Sequence, residues 1–164
     1  MRSSNKFVFV LTVVAAVAML ITGIGANPAY AATNHSVPFM GSVSGTVIVD
    51  LNAGTIELAG TGMASHLGNV KSYKADGSLT SPTTDTLTET LTAANGDTLT
   101  ILCNQVLEVI SPGVFRGTDT WTVIGGTGRF SHATGSGSGE TNVDLNVGTF
   151  TKQLTGTISA PNSN

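Results

Sequence analysis

The 164-residue sequence predicts an all-β fold, an antiparallel barrel of eight strands, behind a cleaved N-terminal signal peptide. Three observations predict it. Apolar and polar residues alternate with period two, turns rich in glycine and asparagine separate the alternating runs, and no window carries a helical stripe. Charged residues make up only 10% of the chain, well under the usual share of about a quarter, which argues against helix bundles, coiled coils and charged tails. Seven Lys plus Arg against ten Asp plus Glu also fail to supply the basic footprint of a nucleic-acid binder.

The first segment, residues 1–31, is read as a secretory signal. Arg2 and Lys6 precede an apolar run from Phe7 to Ile24, and Ala29-Tyr30-Ala31 forms a small-x-small cleavage site. The competing reading is a membrane anchor, because the run is 18 residues long and touches the lower limit for a spanning helix. The cleavage site and the absence of a basic stop-transfer flank favour removal. Residues 32–164 are then one mildly acidic domain, expected outside the cytoplasm as a secreted, periplasmic or cell-surface protein that no membrane holds after cleavage.

The strands follow in order. Val37 to Leu51 places Val43, Val47, Val49 and Leu51 on one face and Ser44, Thr46, Ile48 and Asp50 on the other. Asn52-Ala53-Gly54 turns it into Thr55 to Ser65, followed by a short run from Asn69 to Ala75. Thr84 to Ala94 sets Leu87 and Leu91 against four threonines, and Asn95-Gly96 turns it into Thr98 to Ile110. Ser111-Pro112-Gly113 leads to Val114 to Ile124, where Phe115, Trp121 and Val123 oppose Arg116, Thr118, Thr120 and Thr122. Gly125-Gly126-Thr127-Gly128 ends that run; Gly135 to Leu145, a turn at Asn146-Val147-Gly148, and Thr149 to Ser159 complete the set. Threonine suits the outward positions, since its branched Cβ fits a pleated surface and its hydroxyl tolerates water.

An internal repeat relates the two ends of this order. The fifteen residues from Gly41 and the fifteen from Gly135 are identical at ten positions. Closing the meander would remove its exposed edges and bring these two hairpins together, with the last strand paired to the first. A two-sheet sandwich is the competing architecture. Cys103 is the only cysteine, so no intrachain disulfide staples the domain; it reads as a buried apolar residue without a cationic neighbour in sequence.

Four segments carry a resemblance: Pro38 to Val47, Gly60 to Gly68 with Ser65-His66-Leu67-Gly68, Leu91 to Leu99, and Gly125 to Gly137 with Gly125-Gly-Thr-Gly-Arg129-Phe130. Together they resemble a family of exported bacterial proteins similar in fold to the allene oxide cyclase and dirigent barrels. The resemblance spans nearly all of residues 32–164 and implies a small calycin-like barrel that often trimerises, so a homo-oligomer is expected. It implies no activity, and no motif of the plant enzymes' active sites maps onto this chain.

Motifs with chemical associations resolve as turns. Gly125-Gly-Thr-Gly128 lacks the Lys-Ser/Thr of a phosphate loop, and Asp50-x-Asn52-x-Gly54 and Asp144-x-Asn146-x-Gly148 lack the later ligands of a calcium loop. His35, His66 and His132 show no metal-ligand spacing, and His66 reads as a turn-capping residue. Gly135-Ser-Gly-Ser-Gly139 matches the letters of a nucleophile elbow but lies in a strand. No metal and no cofactor are expected.

Two acids break the apolar rows. Glu89 lies between Leu87 and Leu91, and Asp119 between Phe115 and Trp121, so both are expected to point into the lumen. There they must pair, accept hydrogen bonds or protonate; Lys152, between Phe150 and Leu154 in the last strand, is the partner the parity offers. Glu89, Asp119 and Trp121 are therefore the candidate ligand-binding residues, with no catalytic residue assigned. The function expected is a binding or structural module, with a small apolar molecule as the partner. The alternative is a cyclase or isomerase steering such a molecule in the lumen.

Overall fold

The computed structural model describes residues 35–161; the segment read as a signal peptide lies outside them. Eight strands, β1 (Ser36–Asp50), β2 (Thr55–Ala64), β3 (Gly68–Ser81), β4 (Thr84–Ala93), β5 (Thr98–Ser111), β6 (Val114–Gly126), β7 (Gly135–Asp144) and β8 (Thr149–Ser159), form a closed antiparallel barrel in sequence order. The closure is the one the repeat predicts. Residues Ser36 to Thr46 of β1 pair with Thr149 to Ser159 of β8, and the Val47 amide donates to the Gly148 carbonyl at 3.0 Å. No sheet edge remains to separate two layers, so the sandwich is excluded.

The repeat encodes two equivalent turns at one end of the barrel. Asp50 Oδ1 accepts from the amides of Asn52 and Ala53 at 2.8 and 3.0 Å, and Asp144 Oδ1 accepts from the Asn146 amide at 2.9 Å. These are the local side-chain bonds that aspartate favours in turns. The β3–β4 and β5–β6 turns lie at the same end.

Period two holds almost throughout: the predicted apolar rows face the lumen, while Ile48, with its outward parity, is 65% exposed. The clearest departure is β3, which runs on to Ser81 where the sequence predicts an end at Ala75. Beyond Ala75, Gly77 faces inward opposite Leu87, where a Cβ would run into the Thr86 carbonyl and Leu87. The glycine answers a close approach of strands, not a turn.

The other end is plugged. Phe39, Val70, Leu99, Trp121, Phe130 and Ile158 are all essentially inaccessible, with the Phe39 and Trp121 rings edge to face at 5.5 Å. Phe130 is delivered by a short 3-10 turn, Gly128–Phe130. Thr127 Oγ1 accepts from the Thr98 amide at 3.0 Å, and Arg129 Nε bonds Asp97 Oδ2 at 2.9 Å. The Gly-Gly-Thr-Gly-Arg-Phe segment thus serves as the latch of the closed end. At the same end His66, with φ of 66°, donates from Nε2 to the Pro38 carbonyl at 3.0 Å, so it ties the β2–β3 turn to β1 where its sequence position predicts a local turn cap.

Candidate functional site

Parity carries six polar side chains into the barrel. Asp85 and Glu89 come from β4, Gln105 from β5, Asp119 from β6, Thr141 from β7 and Lys152 from β8, all at most 4% exposed. They fall into two groups along the barrel.

The inner group is ionic. Lys152 Nζ donates to Glu89 Oε1, stands 3.0 Å from Asp119 Oδ2 and reaches Cys103 Sγ at 3.7 Å. Burial opposes the ammonium, but the negative charges around it, Glu89 foremost, outweigh burial and hold Lys152 above the usual lysine range. Burial pushes Asp119 up against the pull of Lys152. Burial likewise raises the Cys103 thiol and the Tyr73 phenol, with Glu89 adding to both. The two inward acids and the inward lysine of the sequence analysis therefore meet in one cluster.

Glycine makes room for it. A Cβ at Gly139 would collide with the Asp119 carboxylate, and one at Gly137 or Gly156 with the Trp121 ring. The elbow-like Gly135-Ser-Gly-Ser-Gly139 segment is thus a strand whose inward positions are left empty for large neighbours. Trp121 packs in the plugged half, where its Nε1 donates to the Ser138 carbonyl at 3.0 Å.

The outer group faces a cavity. At the end carrying the two repeat turns, about 190 Å³ is enclosed by apolar side chains of seven strands, among them Val47, Leu58, Leu79, Leu87, Leu107, Phe115 and Val143, with Leu51, Pro82 and Leu145 at the rim. Asp85, Gln105 and Thr141 are the polar residues of its lining. Asp85 Oδ1, Gln105 Nε2 and Thr141 Oγ1 are buried without a hydrogen-bond partner. Burial raises the Asp85 carboxyl to about 6, opposed by Lys152 and reinforced by Glu89 and Asp119. Glu89, Asp119 and Trp121 do not line this cavity; Leu87, between Asp85 and Glu89 on β4, separates the two levels.

Asp85, Gln105 and Thr141 escape the sequence reading, although each sits on the inward parity of its strand. Among the described residues no three His, Cys, Asp or Glu side chains converge to hold a metal ion. Chemically, the cavity can bind: it offers an apolar wall, an unpaired carboxylate, an amide and a hydroxyl.

No protein-family model matches the chain, and no curated protein matches it. Among solved structures, the chain is similar to the pterocarpan synthase dirigent protein at 15% identity, covering 78% of this chain and 88% of that one, with a TM-score of 0.53. At that identity the likeness is one of fold, and the chain is a dirigent-like eight-stranded barrel.

Proposed function

We propose that the chain is a binding barrel that admits a small, largely apolar molecule through its open end. One observation carries this reading: the apolar cavity there holds three buried polar atoms with no protein partner. Such an atom costs about 1–3 kcal/mol when left unmet, and these three line an apolar enclosure where an entering molecule can bond them. The volume of 190 Å³ exceeds the roughly 150 Å³ that accommodates benzene in an apolar core. It falls below the range of drug-sized pockets, so a ligand of one or two rings or a short chain is the match.

Binding is favoured over catalysis because Glu89, Asp119 and Lys152 engage one another away from the cavity, which leaves Asp85 as the one ionisable side chain of its lining; a lone carboxylate with no second acid or base beside it suits pairing or hydrogen bonding to a ligand. Export and kinship with exported bacterial barrels belong to the same proposal, on the strength of residues 1–31 and of the Ser-His-Leu-Gly and Gly-Gly-Thr-Gly-Arg-Phe segments. Intact-mass measurement of exported protein should find Ala32 at the N-terminus.

The neutral two-ring fluorophore 1-naphthylamine tests the site. The barrel should enhance its emission in a saturable, single-site manner, and Leu107→Trp, which fills the mouth, should weaken binding at least about tenfold with the circular dichroism unchanged. Unsaturable enhancement, or equal binding by the filled variant, would count against an open-ended site.

A further inference from the structure

The charges around the cavity define the polar group of its ligand. Among the described residues the buried charged side chains are three acids, Asp85, Glu89 and Asp119, and one base, Lys152. Lys152 is committed to Glu89 and Asp119. Asp85 has no cation of its own, and its Oδ1 is without a hydrogen bond in a largely apolar enclosure whose other polar side chains, Gln105 and Thr141, are uncharged.

Three kinds of polar head group can be weighed against that arrangement. A carboxylate would bring a fourth negative charge into a lumen with one positive charge, which desolvation makes prohibitive. An alcohol would meet the unpaired donors and acceptors but leave the Asp85 charge uncompensated. An ammonium compensates it and gains charge-assisted hydrogen bonds, about twice as strong as neutral ones. The Thr141 hydroxyl oxygen, also without a partner, supplies a further acceptor for its protons.

Resting on the reading of this cavity as a binding site, we propose that its ligand is an apolar amine whose ammonium group pairs with Asp85. The groups bearing on that carboxylate are Glu89 on the same strand, Asp119 on β6 and Lys152 on β8. Tyr73 on β3 and Cys103 on β5 are held neutral by burial. With Asp85 raised to about 6, about one carboxyl in ten is ionised at about pH 5 and nearly all at about pH 7.5. Amine affinity should therefore climb about tenfold over that interval, while alcohol affinity should not.

Calorimetric titration of the barrel with naphthylmethylamine, naphthylmethanol and naphthoate tests this. At about pH 7.5 the amine should bind at least about tenfold tighter than the alcohol, equivalent to 1.4 kcal/mol, and naphthoate weakest. Asp85→Asn should abolish the preference while the alcohol still binds. Should that variant fail to fold, the pH series on the unaltered protein decides. An alcohol or naphthoate binding as tightly as the amine would overturn the amine assignment and leave the binding site standing. An amine preference indifferent to pH and to Asp85→Asn would overturn the role of Asp85. Absence of binding by all three would overturn the site and the assignment together.

Discussion

Lys152 on β8 bonds Glu89 on β4, 63 residues away in sequence. In a closed barrel of eight strands, β4 and β8 stand on opposite walls, so the pair spans the lumen. Asp119 on β6 and Cys103 on β5 complete the contact set of the same ammonium. One lysine thus joins the half of the barrel that follows β4 through its interior, and divides the plugged end from the open cavity.

Removing that lysine strands two carboxylates in a dry interior. Lys152→Met should lower stability by about 3–5 kcal/mol at neutral pH, the usual cost of breaking a buried ion pair on one side. Replacing the whole set, as Lys152→Met with Glu89→Leu and Asp119→Asn, should recover most of the loss, because no unpaired charge remains. Urea unfolding of the single and triple variants measures both effects. A single variant as stable as the parent would show that the acids are not dependent on the ammonium.

Asp85 gives the pH dependence of stability a definite sign. Its folded carboxyl is raised to about 6 from 3.8, so between those values the folded state holds the proton more firmly than the unfolded chain. Stability from this group is fully present below about pH 4 and is lost as the pH rises through about 6. Asp119, also raised by burial, acts in the same direction. Asp85→Asn should flatten that decline and be about 1 kcal/mol more stable than the parent at neutral pH, a figure discounted for water reaching the cavity. A urea midpoint series across the pH range reads the slope directly.

Alternation made the inner cluster legible, because Glu89, Asp119 and Lys152 each interrupt an apolar row and parity alone turns them inward. The cavity residues were hidden by their setting. Asp85 occupies the same row as Leu87 and Glu89, but stands beside a turn, where aspartate is expected. Thr141 differs from the outward threonines only in parity, and Gln105 extends the row of Leu99, Ile101 and Cys103 as a neutral side chain. Whether a barrel lumen is filled or open depends on the summed volume of side chains from every strand and on strand tilt, a three-dimensional quantity that no single run encodes. Gly117, Gly137 and Gly139 likewise look like flexible sequence, yet they leave space for Gln105, Trp121 and Asp119.

Cys103 should behave as an inert thiol. It is fully buried, burial raises its pKa, and the charge on Glu89 adds to that effect, so almost no thiolate exists to react. Iodoacetamide should label it only in molecules that unfold, at a rate that rises with urea and follows global opening. Rapid stoichiometric labelling under native conditions, followed by mass spectrometry, would contradict the packed inner layer.

Trp121 is the chain's single tryptophan, which makes the plugged half directly observable. Its ring lies over the empty positions of Gly137 and Gly156, meets Phe39 edge to face at 5.5 Å, and donates from Nε1 to the Ser138 carbonyl. The native emission should therefore be blue-shifted and poorly quenched by iodide. Gly137→Val inserts a branched Cβ where both the ring and the Thr155 carbonyl already sit, and the carbonyl cannot retreat without separating β7 from β8. Overpacking of this kind costs about 1–3 kcal/mol, and the emission should shift to the red as the ring is displaced toward water. Trp121→Phe tests the same contact from the other side: it keeps an aromatic body, leaves the Ser138 carbonyl without its donor and should cost about 1–3 kcal/mol. A Gly137→Val barrel with unchanged emission and unchanged urea midpoint would mean that these glycines are not what admits the tryptophan.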